Sequence, residues 1–303
     1  MLRDRLTILV CTCDSYEDLW FPFFKLLKLY WPDLDCRIIL NTETKTYNYE
    51  GLDIKSYGLG STSYGQRMLN HLNLVETPYV LILLDDFFIR KTIDTASVVR
   101  MLDFMDSNEE VAAMYCNATK YVNGTNPLKP FYKMNQYAPY KLNMQAAIWR
   151  KENLKKYWIP EDNPWRWEIF VNFLTFKNTD VFYSLKDLKE TPVDYGYKED
   201  GMGVFRGKWV VEDVKPVFDK HNIVIDFAKR GIYKKEEAVA RLPFFSTLRY
   251  VYWRLPFIDA TLFYLFAFIK RFRRKFNKNT RALSYVDYLA EKEMKKNITK
   301  KNF

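Results

Sequence analysis

Histidine is nearly absent from this 303-residue chain, which has only His71 and His221. Cysteine is sparse too, at four, and no two form a C-x-x-C pair. Zinc sites draw mainly on these residue types, so a zinc centre has little to work with. Cys11, Cys13, Cys36 and Cys116 read instead as small buried residues in a reducing compartment. Glycine is missing from "VCTCDSYEDLW", the stretch that follows the first apolar run. A nucleotidyltransferase would usually carry a Gly-rich phosphate loop there. A secretion signal is lacking as well: "MLRDRLTILVCTC" has charges at both ends and too short an apolar stretch. The N-x-[ST] sequons at Asn117, Asn123 and Asn297 therefore read as chance matches.

What is present is apolar bulk and an uneven charge. Hydrophobic residues make up 48% and aromatic residues 17%, enough for an ample core. Residues 1–240 hold 32 Lys/Arg against 33 Asp/Glu, a net −1, whereas 241–303 hold 15 against 4, a net +11. The chain divides on this basis into a near-neutral body, 1–240, and a basic C-terminal region, 241–303.

Along the body, short apolar runs alternate with helical patterns. Strands are predicted at 5–13, 36–42, 79–86, 111–116 and, late, at 144–151. Helices are predicted over 15–30, with Ser15 as a possible cap and Pro22 marking either the true start or a kink, and over 61–76 and 93–105. Another is expected over 163–176, capped by Asn163 with Pro164 at its first position. Residues 117–143 are polar and aromatic, and the glycine-rich 191–209 reads as a mobile loop. Alternating strands and helices predict an α/β fold with a mostly parallel sheet flanked by helices.

One stretch stands out, "YVLILLDDFFIR" at 79–90. Ligands of open α/β sheets bind beyond the carboxyl ends of the strands, where Asp85 and Asp86 stand. Adjacent carboxylates repel unless a cation or donor offsets them, and a divalent cation on a diphosphate would do so. Strand-end solvation plus a helix cap is the plain alternative.

The pieces "ILVCTCDSY", "STSYGQRMLNHLNLVETPYVLILLDDFF" and "MQAAIWRKENLKKYWIPEDNPWRWE", in this order, resemble the GT-A (Rossmann-like) glycosyltransferases, which use nucleotide-sugar donors. The resemblance spans roughly residues 5–220. The acids here are adjacent rather than split as in the D-x-D motif of those enzymes. The resemblance implies that Thr12 and Asp14 meet the nucleoside, with Asn41 a further candidate for the base. It places Arg67 near the diphosphate or ribose, Asp85 on the donor sugar or ribose, and Asp86 on a Mn²⁺- or Mg²⁺-diphosphate. Glu168 becomes the general base of an inverting transfer, with Glu161 and Asp162 as alternatives. Trp165 and Trp167 would serve as sugar platforms, since the C–H face of a pyranose is apolar. Arg206 and Lys208 would meet the leaving diphosphate, and His221 would be a late metal ligand. The plain alternatives are an exposed helix arginine for Arg67, core packing for the tryptophans, a basic surface loop around Arg206 and a structural role for the lone His221.

The basic region contains "LPFIDATLFYLFAFIKRFRRKFNKN" at 255–279. Its longest apolar run, Ala260 to Ile269, falls well short of the ~20 residues of a spanning helix. Aromatic bulk followed by Lys270, Arg271, Arg273, Arg274 and Lys275 suits a helix in an anionic headgroup layer better than nucleic acid. Packing of these aromatics on the body is the other option. The expectation is a glycosyltransferase on the cytoplasmic face of the cell membrane. It would move sugar from a nucleotide-sugar, of UDP type, to a glycan or lipid-linked glycan, with no nucleic-acid partner. A sugar nucleotidyltransferase and a non-catalytic membrane-surface protein that binds glycan or nucleotide are the alternatives.

Overall fold

The computed structural model describes residues 2–176, 178–194 and 202–234, with Leu265 beyond them. The expected basic region 241–303, Leu265 apart, the boundary before it and the middle of the 191–209 loop therefore lie outside the described residues.

The strands are β1 (Leu6–Cys11), β2 (Arg37–Asn41), β3 (Ile54–Lys55), β4 (Tyr79–Leu84), β5 (Val111–Ala118), β6 (Phe131–Lys133), β7 (Ala147–Arg150) and β8 (Val181–Leu185). They form one sheet in the order β3-β2-β1-β4-β7-β5-β8-β6. The pairs β1–β2, β2–β3, β1–β4 and β5–β8 are parallel. The late strand β7 runs antiparallel between β4 and β5, and β6 closes the edge antiparallel to β8. The sheet is thus mostly parallel, as the alternation of strands and helices implies. A separate hairpin joins β9 (Val204–Phe205) to β10 (Lys208–Trp209).

Helices cover both faces, which is why the central strands are continuous apolar runs. Strand β1 is buried along its whole length. Helices α1 (Glu17–Tyr30) and α3 (Thr95–Asp106) pack with Ile8, Val10, Leu81 and Leu83 on one face. Helices α2 (Tyr64–Asn73), α4 (Lys151–Tyr157) and α5 (Pro164–Phe170) pack with Leu9, Val80 and Ile82 on the other. Helices α6 (Val211–Lys220) and α7 (Phe227–Arg230) follow the hairpin. Among the described residues no helix is long and apolar enough to cross a membrane.

Local chemistry sets the helix starts. Asn163 accepts from the Arg166 N–H at 2.9 Å and Pro164 opens α5, as its sequence requires. The helix becomes 3₁₀ over Val171–Phe176. Helix α1 departs from expectation. It follows a 3₁₀ turn at Asp14–Tyr16, Ser15 does not cap it, and Pro22 lies buried inside it. One backbone hydrogen bond is lost there, while seven residues of α1, Pro22 among them, are buried against the sheet. Gly65, in the first turn of α2, approaches the 159–162 loop so closely that a Cβ would stand 2.0 Å from the Ile159 carbonyl oxygen. The Gly65 and Gln66 N–H groups donate to the Asp162 and Pro160 carbonyls at 2.9 and 3.1 Å. Helix α2 thereby fixes the loop that leads into α5.

Candidate active site

The chain runs from β1 to β2 on one side and returns through β4 on the other, so the sheet order reverses around β1. The crevice beyond the carboxyl ends of β1 and β4 is the switch point where α/β sheets take ligands. Cys11 and Leu84 are paired in register, and the next residues, Thr12 and Asp85, meet across the crevice. Thr12 Oγ1 donates to Asp85 Oδ2 and accepts from Trp20 Nε1 at 2.8 Å. Burial, then the neighbouring Asp86 charge, pushes Asp85 well above the usual carboxylate range. Burial lifts Asp86 to about 7, against its own backbone hydrogen bond and the positive charge of Arg230.

The roof of the crevice comes from the hairpin and α7. Gly203 N–H donates to the Asp86 carbonyl at 2.6 Å, and a Cβ there would lie 2.2 Å from Phe88 Cε2. Arg230 binds the Asp18 carboxylate through Nε, at 3.0 Å, and Nη2, and reaches the Ser15 and Gly207 carbonyls at 2.7 and 3.3 Å. Its guanidinium lies 4.4 Å over the Tyr16 ring. Burial and the Asp86 charge push the Tyr16 phenol up to about 12, with Arg230 opposing. Sequence reading missed Arg230, Tyr16 and Gly203. Arg230 stands more than 200 residues from Asp18, and no local pattern marks that pairing.

Several residues expected to face the donor are committed to the scaffold. Arg67 is buried rather than an exposed helix arginine. Its Nε donates to Asn41 Oδ1 at 3.0 Å, Nη2 to the Thr12 carbonyl at 3.1 Å and Nη1 to Glu43. Asn41 is fully buried, with Nδ2 at 3.0 Å from Met68 Sδ, so its amide has no face for a base. Asp14 accepts from the backbone N–H groups of Glu43, Thr44 and Lys45 and from Thr44 Oγ1. Burial raises its pKa, but these bonds outweigh burial and hold it below the usual range. Asp14 and Arg67 thus tie the β1 and β2 loops together behind Thr12.

Further along the same sheet edge, where β5 ends, a cavity of about 310 Å³ is lined by Asn117, Thr119, Asn143, Gln145, Ser184 and Glu168, with aromatic and apolar neighbours. Strand β7 alone separates β4 from β5, so the cavity lies at the end of a strand two places along the sheet from the one that carries the acidic turn. Glu168 Oε1 accepts from the Met144 N–H at 2.8 Å. Burial raises the Glu168 pKa, against that bond. The start of a Pro-opened helix favours an ionised carboxylate through the helix dipole, and burial outweighs that effect.

The two tryptophans part company. Trp165 is 70% exposed, one turn before Glu168 on the same helix face. Trp167 is fully buried and stacked on Trp158 with centroids 4.7 Å apart, so it is core and offers no sugar a face. Of the alternative bases, Glu161 is exposed and Asp162 is buried beside α2. Arg206 and Lys208 flank the hairpin tip; Arg206 has φ 52° and lies over the Phe205 ring. His221 meets Tyr30 instead, with Nε2 2.8 Å from its hydroxyl. Among the described residues no group of three or more His, Cys, Asp or Glu side chains comes together as a metal cage. Cys11, Cys36 and Cys116 are buried, Cys13 is half-buried, and none forms a disulfide.

No protein-family model matches the chain, and no curated protein does. Among solved structures the chain is similar to residues 1–349 of TarS from S. aureus, at 16% identity and a TM-score of 0.42, over 60% of this chain and 58% of that one. The same fragment in complex with UDP-GlcNAc gives the same identity and TM-score. The galactosyltransferase LgtC, in complex with donor and acceptor sugar analogues, gives 12% and 0.31, over 50% and 59%. The bifunctional IspDF of Campylobacter jejuni gives 11% and 0.33, over 60% and 49%. The chain thus spans less than two thirds of each of these structures. At these scores the likeness carries nothing about residues or chemistry.

Proposed function

We propose that the chain is a glycosyltransferase that moves a sugar from a UDP-sugar to a glycan or lipid-linked glycan acceptor, with inversion at the transferred carbon. The supporting observation is the pairing of two sites on one sheet edge. The acidic turn follows β4 at the β1–β4 switch point, and the Glu168 cavity lies where β5 ends, two strands along the sheet. A diphosphate at the turn and an acceptor in the cavity would be neighbours across the end of β7.

In this reading Glu168 takes the proton of the acceptor hydroxyl. That oxygen forms the new bond to the anomeric carbon, and the bond from that carbon to the diphosphate oxygen breaks, its electron pair leaving with UDP. The Met144 N–H holds one carboxylate oxygen, and burial makes the ionised group a stronger proton acceptor. Arg206, Lys208 and Arg230 would oppose the charge that grows on the departing diphosphate, and Trp165 would hold acceptor sugars. Asp85 and Asp86 offer only oxygen donors and oppose each other's ionisation. This fits Mg²⁺ or Mn²⁺ held by one or two carboxylates plus phosphate oxygens, with Asp86 as the principal ligand. Such an ion, when bound, would supply charge neutralisation at the diphosphate. The basic region 241–303 would hold the enzyme peripherally on the cytoplasmic face of an anionic membrane.

Thermal unfolding with a panel of nucleotides and metals tests this. A UDP-sugar with Mn²⁺ should stabilise the protein, by about 2.7 kcal/mol at a hundredfold excess over Kd. Stabilisation by a nucleoside triphosphate and a sugar phosphate, with none by UDP-sugars, would move the assignment to a nucleotidyltransferase.

A further inference from the structure

The cavity beside Glu168 has a chemical character of its own. Amides and hydroxyls dominate its polar lining: Asn117, Thr119, Asn143, Gln145 and Ser184. Among the described residues Glu168 is the only charged one that lines it, and no described Lys, Arg or His does. Two lysines near in sequence to the lining lie on aromatic rings, Lys120 5.1 Å over Tyr121 and Lys141 5.3 Å over Phe182. Gln145 Oε1 is buried and has no hydrogen-bond partner. A buried unmet acceptor is costly, and a rotation of the Gln145 amide that brings Oε1 to the cavity wall would let an arriving hydroxyl remove that cost. Anions find the opposite. A carboxylate or phosphate entering would be stripped of water, meet no cation among the described lining residues and face the Glu168 charge.

We propose that this cavity admits an uncharged, hydroxyl-rich glycosyl unit and excludes phosphorylated or carboxylated ones, with Gln145 Oε1 accepting from a sugar hydroxyl. The inference rests on the acceptor role given to the cavity above and names the class of acceptor. Its volume, at the small end of ligand pockets, suits a terminal unit rather than a long chain.

The test uses the full chain saturated with UDP and Mn²⁺ at pH 8, with methyl hexosides, a hexuronic acid and a hexose 6-phosphate as probes. Sugar binding is read by ligand-observed NMR, and UDP binding separately by calorimetry. Neutral hexosides should bind at least about tenfold more tightly than either anion, the scale of one lost charge pairing. Glu168→Gln should bring the anions closer to the neutral sugars by removing the like charge. Gln145→Met, similar in volume, should weaken neutral sugars several-fold, the scale of one hydrogen bond. Thermal midpoints confirm that each variant is folded. Equal binding of anions and neutral sugars overturns the proposal, as does a discrimination unchanged in both variants. UDP binding with no sugar bound at all overturns it while leaving the donor reading intact; failure of UDP to bind overturns the donor reading itself.

Discussion

The fold opposes the charge of Asp86 as well as that of Asp85. The Asp86 pKa of about 7 stands roughly three units above the ordinary 3.8. A folded-state value above the unfolded one means that the native protein keeps a proton the unfolded chain has released. The stability tied to this proton is whole below about pH 4 and is lost progressively as pH rises toward 7, beyond which the penalty is constant. At 1.36 kcal/mol per unit, the ceiling is about 4 kcal/mol. Asp86→Asn removes the charge and keeps the shape. Its unfolding midpoint should match the parent's near pH 4, exceed it by several degrees at pH 8, and stop gaining above pH 7. The parent should recover stability at pH 8 with UDP and Mn²⁺, and the variant should not, because the carboxylate that would hold the metal is gone. A pH-independent gap between the two, or a variant less stable at pH 8, refutes the electrostatic account. Metal-dependent UDP binding by the variant at parental strength refutes the ligand role.

Glu168→Gln should bind UDP-sugar as the parent does and lose turnover at least roughly a hundredfold in a UDP-release assay; near-parental turnover passes the base to Glu161 or Asp162. Arg67→Ala leaves Glu43 and Asn41 without their buried partner, and chemical denaturation should show a loss of about 3–5 kcal/mol. Trp167→Ala should cost a similar ~3–5 kcal/mol. Trp165→Ala should change stability by no more than ~0.5 kcal/mol and lower affinity for acceptor glycans. Deleting 241–303 should remove binding to anionic vesicles in a sedimentation assay, and added salt should weaken the parent's binding.

The strands that build the crevice were legible because β1, β2 and β4 are short apolar runs buried on both faces, and the acids follow β4 directly. The cap of α5 was legible for the same local reason: Asn163 and Pro164 announce it. The two-residue β3 and three-residue β6 are too short to carry a period. Strand β8 went unread, although four of its five residues are buried, as did the orientation of β7, which is set by tertiary pairing. The tryptophans show the limit most clearly. "NPWRWE" places both beside Glu168, but two residues along a helix turn to different faces, and only contacts from Trp158 and Tyr157 reveal which one is core.

That same limit explains why the polar residues at the strand ends divided as they did. Thr12, Asp14, Asn41 and Arg67 all stand where a nucleotide would be expected, and from sequence each looks like a ligand contact. In the structure Arg67 gathers Thr12, Asn41 and Glu43, while Asp14 gathers the backbone of 43–45. A buried guanidinium with every nitrogen paired is costly to unpair, so these contacts form a rigid wall. Such a wall serves a binding site by holding the few groups in front of it, Thr12 Oγ1 and the Asp85–Asp86 turn, to a fixed geometry before any ligand arrives. Substituting Asn41 or Asp14 should therefore lower nucleotide affinity in proportion to lost stability. Substituting Asp86 should lower it while stability at neutral pH rises. Opposite signs of the stability change at the two kinds of position separate a supporting residue from one that faces the ligand.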